Sequence, residues 1–140
     1  MHYGTLLPLN GDKIIELPQL KTYDVLLLTA IANPKPLYDF LKINCKTVTH
    51  LAYRDHHQFG VGDALKTREI FDNIASNEKI IITTEKDAMR LEANELRQHI
   101  NALPFFIQTV RFDFPQNDKQ LFNQLLLNYV RKNSGNSKLH

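Results

Sequence analysis

Apolar positions along the chain follow two periods that take turns. Asp24 to Thr29 holds four consecutive aliphatic residues, Val25-Leu26-Leu27-Leu28, a run of strand length that fits a strand buried on both faces. Asn33-Pro34 follows, and then Leu37, Phe40 and Leu41 recur at helical spacing, so strand, turn and helix succeed one another. Asn33 is suited to cap the free amides of that helix, with Pro34 at its first position, where no amide is needed. Lys46 to Tyr53 alternates and carries β-branched residues, as a strand does, and Thr67, Ile70, Phe71 and Ile74 mark one face of a second helix. Lys79 to Thr84 is a third strand. Thr84 with Asp87 three residues on has capping-box spacing, Asp replacing the usual Glu or Gln, and predicts a helix through about Leu96. Phe105 to Phe112 reads as a fourth strand, and Leu121, Phe122, Leu125, Leu126, Tyr129 and Val130 as the buried stripe of a last helix.

Ahead of this repeat, Tyr3 to Leu20 mixes short apolar runs with turn residues. Asn10-Gly11 is a hairpin signal between Thr5–Leu9 and Lys13–Leu17. Residues 1–20 are therefore expected to form an N-terminal hairpin or connector, 21–132 an α/β unit, and 133–140 a polar, frayed tail. Apolar strands separated by helices need crossover connections, which predicts an α/β fold: a mostly parallel sheet with helices on both faces, Rossmann-like and three-layered. Ligand sites in such sheets lie beyond the carboxyl ends of the strands. Here those ends are Ala30 to Asn33, Arg54 to Phe59 and Thr83 to Asp87.

Composition narrows the class. A chain of 140 residues, 43% hydrophobic, is large enough to bury one core without disulfides or structural metal. Its lone Cys45 cannot form an internal disulfide, which favours a reducing, cytoplasmic setting. The longest strongly apolar run, Val25 to Ile31, is far too short to cross a bilayer, and the N-terminus lacks signal-peptide character. A net charge of +2, with no basic cluster beyond the loose set Arg54, Lys86 and Arg90, leaves no footprint for nucleic acid. The five glycines form neither a G-x-x-x-x-G-K-[ST] nor a G-x-G-x-x-G phosphate cradle, so the chain is not a self-sufficient P-loop kinase. A Gly-x-Ser-x-Gly nucleophile elbow is also missing.

Two edge loops carry candidate chemistry. Asp55-His56-His57 offers a carboxylate and two imidazoles suited to proton exchange near neutral pH. The plainer reading has Asp55 capping the turn, one histidine packed beneath the loop and the other in water. No metal site is expected, because adjacent side chains diverge and no His-x-His or His-Glu-x-x-His pattern occurs. The triplet also resembles that of the DHH phosphoesterases, whose further aspartate motifs are not found here. Thr83-Thr84-Glu85-Lys86-Asp87 sets a helix N-terminus beside a lysine and two hydroxyls, an arrangement open to an anion. The plainer alternative is a simple cap with Lys86 solvated; Arg90, one turn on, would share the face of Lys86. In the third edge loop, the small residues of Ala30-Ile31-Ala32 permit close approach of a ligand or another backbone, or simply tight packing.

In order, Thr-Ala-Ile-Ala-Asn-Pro, then Ala-Tyr-Arg-Asp-His-His-Gln-Phe, then Ile-Ile-Thr-Thr-Glu-Lys-Asp-Ala resemble the second half of the tetraacyldisaccharide 4'-kinases. The resemblance spans nearly the whole chain, and its specific part is the ordered pair Asp-His-His-x-Phe and Thr-Glu-Lys-Asp-Ala. Ala30 departs from a frequent glycine, and Tyr53-Arg54 from a common Phe-Pro. The resemblance implies the C-terminal lobe of a two-lobed, ATP-dependent lipid A kinase at the cytoplasmic face of the inner membrane. The N-terminal lobe, absent here, would supply a membrane-associating helix, the P-loop, the base aspartate and most of the binding of ATP and Mg2+, with no cofactor expected in the isolated chain. Its implied partners are that lobe and the lipid A precursor. The resemblance makes His56 the best match to the family's catalytic histidine, with Asp55 orienting it and His57 a further catalytic candidate. Thr84, Glu85, Lys86 and Asp87 would lie at the nucleotide or interlobe edge. The competing expectations are an independent α/β binding module whose Asp-His-His loop is structural, and a stand-alone metal-dependent hydrolase.

Overall fold

A computed structural model of the chain describes residues 2–111 and 126–129. Its strands are β1 (His2–Pro8), β2 (Asp24–Thr29), β3 (Thr47–Ala52), β4 (Lys79–Thr83) and β5 (Phe105–Arg111). Its helices are α1 (Lys35–Asn44), α2 (Val61–Asp72), α3 (Glu85–Arg90) and α4 (Arg97–Asn101), with a 3-10 turn over Leu17–Thr22. Residues 126–129 are helical, inside the expected last helix. The remainder of that helix, Phe112 and the polar tail fall outside the described residues.

The strands form one sheet in the order β1-β5-β4-β2-β3. β2 pairs in parallel with both β3 and β4, β4 pairs in parallel with β5, and β1 is antiparallel to β5. Every residue of β2 is buried, as the unbroken apolar run requires of a central strand. Successive side chains of a strand point to opposite faces, and β2 uses both. Leu26 and Leu28 join Ala64, Phe71, Ile81, Leu91, Leu96 and Ile100 on one side, while Val25 and Leu27 join Leu20, Leu37, Leu41, Ile80 and Ile82 on the other. Thus α2, α3 and α4 cover one face and α1 with the 3-10 turn covers the other, the three layers expected of an α/β fold. Cys45 is buried in the second layer, where burial pushes its thiol up to about 12.

Three local outcomes differ from the sequence pattern, each for a physical reason. Gly11, at φ 101, does reverse the chain, but the return segment makes only a bridge between Leu6 and Ile15, with Leu6 N–H donating at 2.9 Å and Ile15 N–H at 3.1 Å. The longer pairing of β1 is with β5, which lets Leu6 reach the core. The single helix expected from Glu85 through about Leu96 stops at Arg90, and a separate helix, α4, starts only after Leu96. Leu91 and Leu96 both enter the same core, yet five residues of helix turn through about 500°, roughly 140° out of phase, so one helix cannot bury both. α1 begins one residue late, at Lys35, and Asn33 makes no side-chain cap; Pro34 stands at the boundary instead, its carbonyl accepting from Tyr38 N–H at 3.0 Å.

Candidate functional site

The parallel strands end on one rim, and there the backbone of a single residue, Ala30 just after β2, is held from several sides. Thr84 caps α3 by accepting the Asp87 N–H at 3.1 Å. That cap draws Asp87 into the interior, where it is fully buried. A buried carboxylate is costly unless donors surround it, and here three do. Oδ2 accepts from the Ala30 N–H at 3.0 Å and the Thr84 hydroxyl at 2.8 Å, and Oδ1 accepts from Arg90 Nη1 at 3.0 Å. Arg90 Nη1 also donates to the Ala30 carbonyl at 2.7 Å. One acid-base pair on α3 therefore grips both the amide and the carbonyl side of Ala30.

His56 enters through the same carbonyl, which accepts its N–H at 3.2 Å. Among the described residues His56 is the one non-glycine with positive φ, at 62°, a left-handed conformation costing a residue with a β-carbon about 1–2 kcal/mol. Its ring Nδ1 lies 3.3 Å from Arg90 Nη2. A guanidinium has only donors, so Nδ1 accepts and the neutral ring carries its proton on Nε2. That nitrogen stands 3.5 Å from Asp55 Oδ2, on a side chain 82% exposed. Asp55, His56 and Asp87 are thus brought together, through Arg90.

His57 is drawn elsewhere. Its ring stacks on Tyr53 at 4.4 Å and meets Phe59 edge-on at 5.4 Å, while Nε2 lies 2.9 Å from Asp63 Oδ2. Asp63 also accepts the Gly60 N–H at 2.9 Å, closing the start of α2. Burial pushes the Asp63 carboxyl up, but the Gly60 amide, then the His57 ring, outweigh it and hold the group below its ordinary value. The Tyr53 hydroxyl is buried without a well-formed hydrogen bond; burial first, and the nearby Asp63 carboxylate second, push it up to about 12. The two imidazoles therefore divide, one facing solvent and one packed.

Glu85 and Lys86 are exposed in the first turn of α3, whereas Arg90 turns inward to Ala30 and does not share the face of Lys86. Sequence reasoning missed Asp63 and the hub at Ala30; for the hub one local signal existed, the Asp87–Arg90 spacing of three, which places two opposite charges on one helix face. Among the described residues no group of three or more His, Cys, Asp or Glu side chains is placed to hold a metal ion. Asp87 is fully buried and engaged by three donors, and Asp55 faces one imidazole, so this edge does not fit a magnesium site. Among the described residues no helix is long and apolar enough to cross a membrane.

The model of the tetraacyldisaccharide-1-P 4'-kinase family matches residues 9–131. The chain is 37% identical to a tetraacyldisaccharide 4'-kinase of Bacteroides thetaiotaomicron, over 96% of the chain and 38% of the relative. It is 34% identical to that of Phocaeicola vulgatus, over 96% and 37%, and 33% identical to that of Rhodospirillum centenum, over 72% and 30%. The chain spans about a third of the length of these curated relatives. No solved structure gives a significant match.

Proposed function

The chain belongs to the tetraacyldisaccharide-1-P 4'-kinase family, and on that premise we propose that it is the C-terminal lobe of a lipid A 4'-kinase, with residues 21–132 as the lobe proper. The reaction is transfer of the ATP γ-phosphate to the 4'-hydroxyl of a tetraacyldisaccharide 1-phosphate at the cytoplasmic face of the inner membrane. The 140 residues hold no phosphate cradle, so nucleotide and magnesium belong to a second, N-terminal lobe, and the chain alone has no turnover. No nucleic acid takes part.

The observation that carries this reading is the convergence of His56, Asp87 and Arg90 on Ala30, on the rim where α/β sheets bind their ligands. His56 presents Nε2–H outward. From there it donates to the base aspartate of the other lobe, orienting that carboxylate so that its second oxygen takes the proton of the acceptor hydroxyl. Asp55, 3.5 Å from Nε2, orients the ring by its charge alone and leaves the N–H to the other lobe. His57, braced by Tyr53 and Asp63, holds the loop in shape. Thr84 and Asp87 build the turn, and Glu85 and Lys86 face the nucleotide or the other lobe.

The test joins this chain to the N-terminal lobe of a curated relative and follows ATP-dependent phosphorylation of the lipid A precursor. The joined protein is expected to turn over and the chain alone is not. His56→Asn, which tolerates the left-handed backbone, should lower kcat by about a hundredfold. Full activity in that variant would overturn the role of His56. No transfer by the joined wild type, with both lobes folded, would favour an independent binding module.

A further inference from the structure

Resting on the role given to His56 above, we propose that Arg90 is a positioning residue: its two-pronged guanidinium fixes the direction and tautomer of the His56 ring. The prongs divide their work. Nη1 donates to the Ala30 carbonyl, which also accepts the His56 N–H, and to Asp87; Nη2 reaches the His56 ring itself. Backbone and ring of one exposed histidine are thereby referred to one guanidinium. That guanidinium is anchored in turn on a carboxylate with no exposed surface. A single anchoring chain runs from the buried end of β4 through the Thr84 cap, Asp87 and Arg90 to the outermost nitrogen of the site.

Charge balance for Asp87 alone does not need an arginine. A lysine ammonium at position 90 can serve Asp87 and Ala30, but as one nitrogen it cannot also reach the ring, whereas the rigid fork of arginine serves both. The left-handed backbone of His56 adds a second reason: strained conformations persist where the surroundings over-determine them, and Ala30 with Arg90 are those surroundings. Without the fork the ring is free to turn about χ1 and χ2 and to exchange its proton between nitrogens.

The discriminating variant is therefore Arg90→Lys, read first in the chain as it stands. In 15N-histidine-labelled protein the His56 signals are identified by their loss in His56→Asn. Wild type should show a pyrrole-type Nε2 and an Nδ1 shielded by an accepted hydrogen bond. In Arg90→Lys, at near wild-type thermal stability, both signals should move toward the averaged values of a ring exchanging tautomers. His56 signals that do not move would overturn the proposal. Arg90→Gln is measured alongside, so that loss of folding in one variant leaves the other to decide. In the joined two-lobed protein Arg90→Lys should lower kcat roughly tenfold or more with little change in KM, since misplacement of a reacting group acts on the chemical step. Unchanged kcat there, with His56→Asn impaired, would also overturn it. A joined protein indifferent to His56→Asn would instead overturn the parent reading, and the ring signals would still report on Arg90 by themselves.

Discussion

His56 holds a backbone conformation that most side chains avoid, and it does so where its ring is mostly in water. Nothing apolar is gained there to offset the cost. Removing the ring in two ways isolates it: His56→Gly should be more stable than His56→Ala by about 1 kcal/mol in denaturant unfolding, because only alanine keeps the β-carbon. Equal stabilities would mean the backbone relaxes out of the left-handed region. The cap that precedes this site was legible in the sequence, since Thr84 and Asp87 stand at the right spacing and contact follows from helix geometry. The rest was not. Arg90 meets Ala30 across 60 positions and His56 across 34, separations that no local pattern encodes. That one histidine packs and the other faces water was already the plainer reading; which of the two packs was hidden, because it depends on which ring finds Tyr53, Phe59 and Asp63.

At the level of elements, polar side chains close helix ends that the apolar periodicity leaves open. Lys79, the first residue of β4, turns its Nζ back to the carbonyls of Phe71 at 2.8 Å and Ile74 at 3.0 Å, just past α2, and lies 4.6 Å from the Phe71 ring. A cation at a helix C-terminus is favourable by about 0.3–1 kcal/mol, and Lys79→Met should lose about that much in thermal or denaturant melts, with the loss shrinking in high salt. A salt-independent effect would assign the stabilisation to packing of the stem instead. The sequence announced the helix and the strand but not this link, as Lys79 reads simply as a polar strand start. The division into α3 and α4 was open to a stricter reading: Leu91 and Leu96 are out of helical phase, and both were apolar enough to demand burial.

For the molecule as a whole, the layers were legible and the strand order was not. Apolar runs say that a strand is covered on both faces, but not which neighbour it takes, so the sequence could not place β1 beside β5. Among the described residues, His50 ties stability to pH near neutrality, and Asp24 and Asp63 tie it in acid. Burial holds His50 below its ordinary value of 6.5, with Thr29 Oγ1 2.9 Å from its Nε2. A depressed folded value means that its contribution is complete above 6.5 and is lost as pH falls through that value and below. Asp24 is held below 3.8, by the Thr47 hydroxyl first and Ser76 next, so its contribution is lost only in stronger acid. Denaturant stability should therefore begin to fall below pH 6.5, and His50→Gln should flatten that first step while leaving the second; an unchanged profile would remove His50 as its source. The antiparallel pairing of His2 with Arg111 has a practical geometric outcome for building a two-lobed protein. It starts the first strand on the same rim as Ala30, three strand positions across, roughly 14 Å at the usual spacing. A lobe grafted ahead of His2 thus needs a tether of only about four to five extended residues to cover that distance, whereas a graft placed at the opposite rim would have to travel the full height of the sheet first.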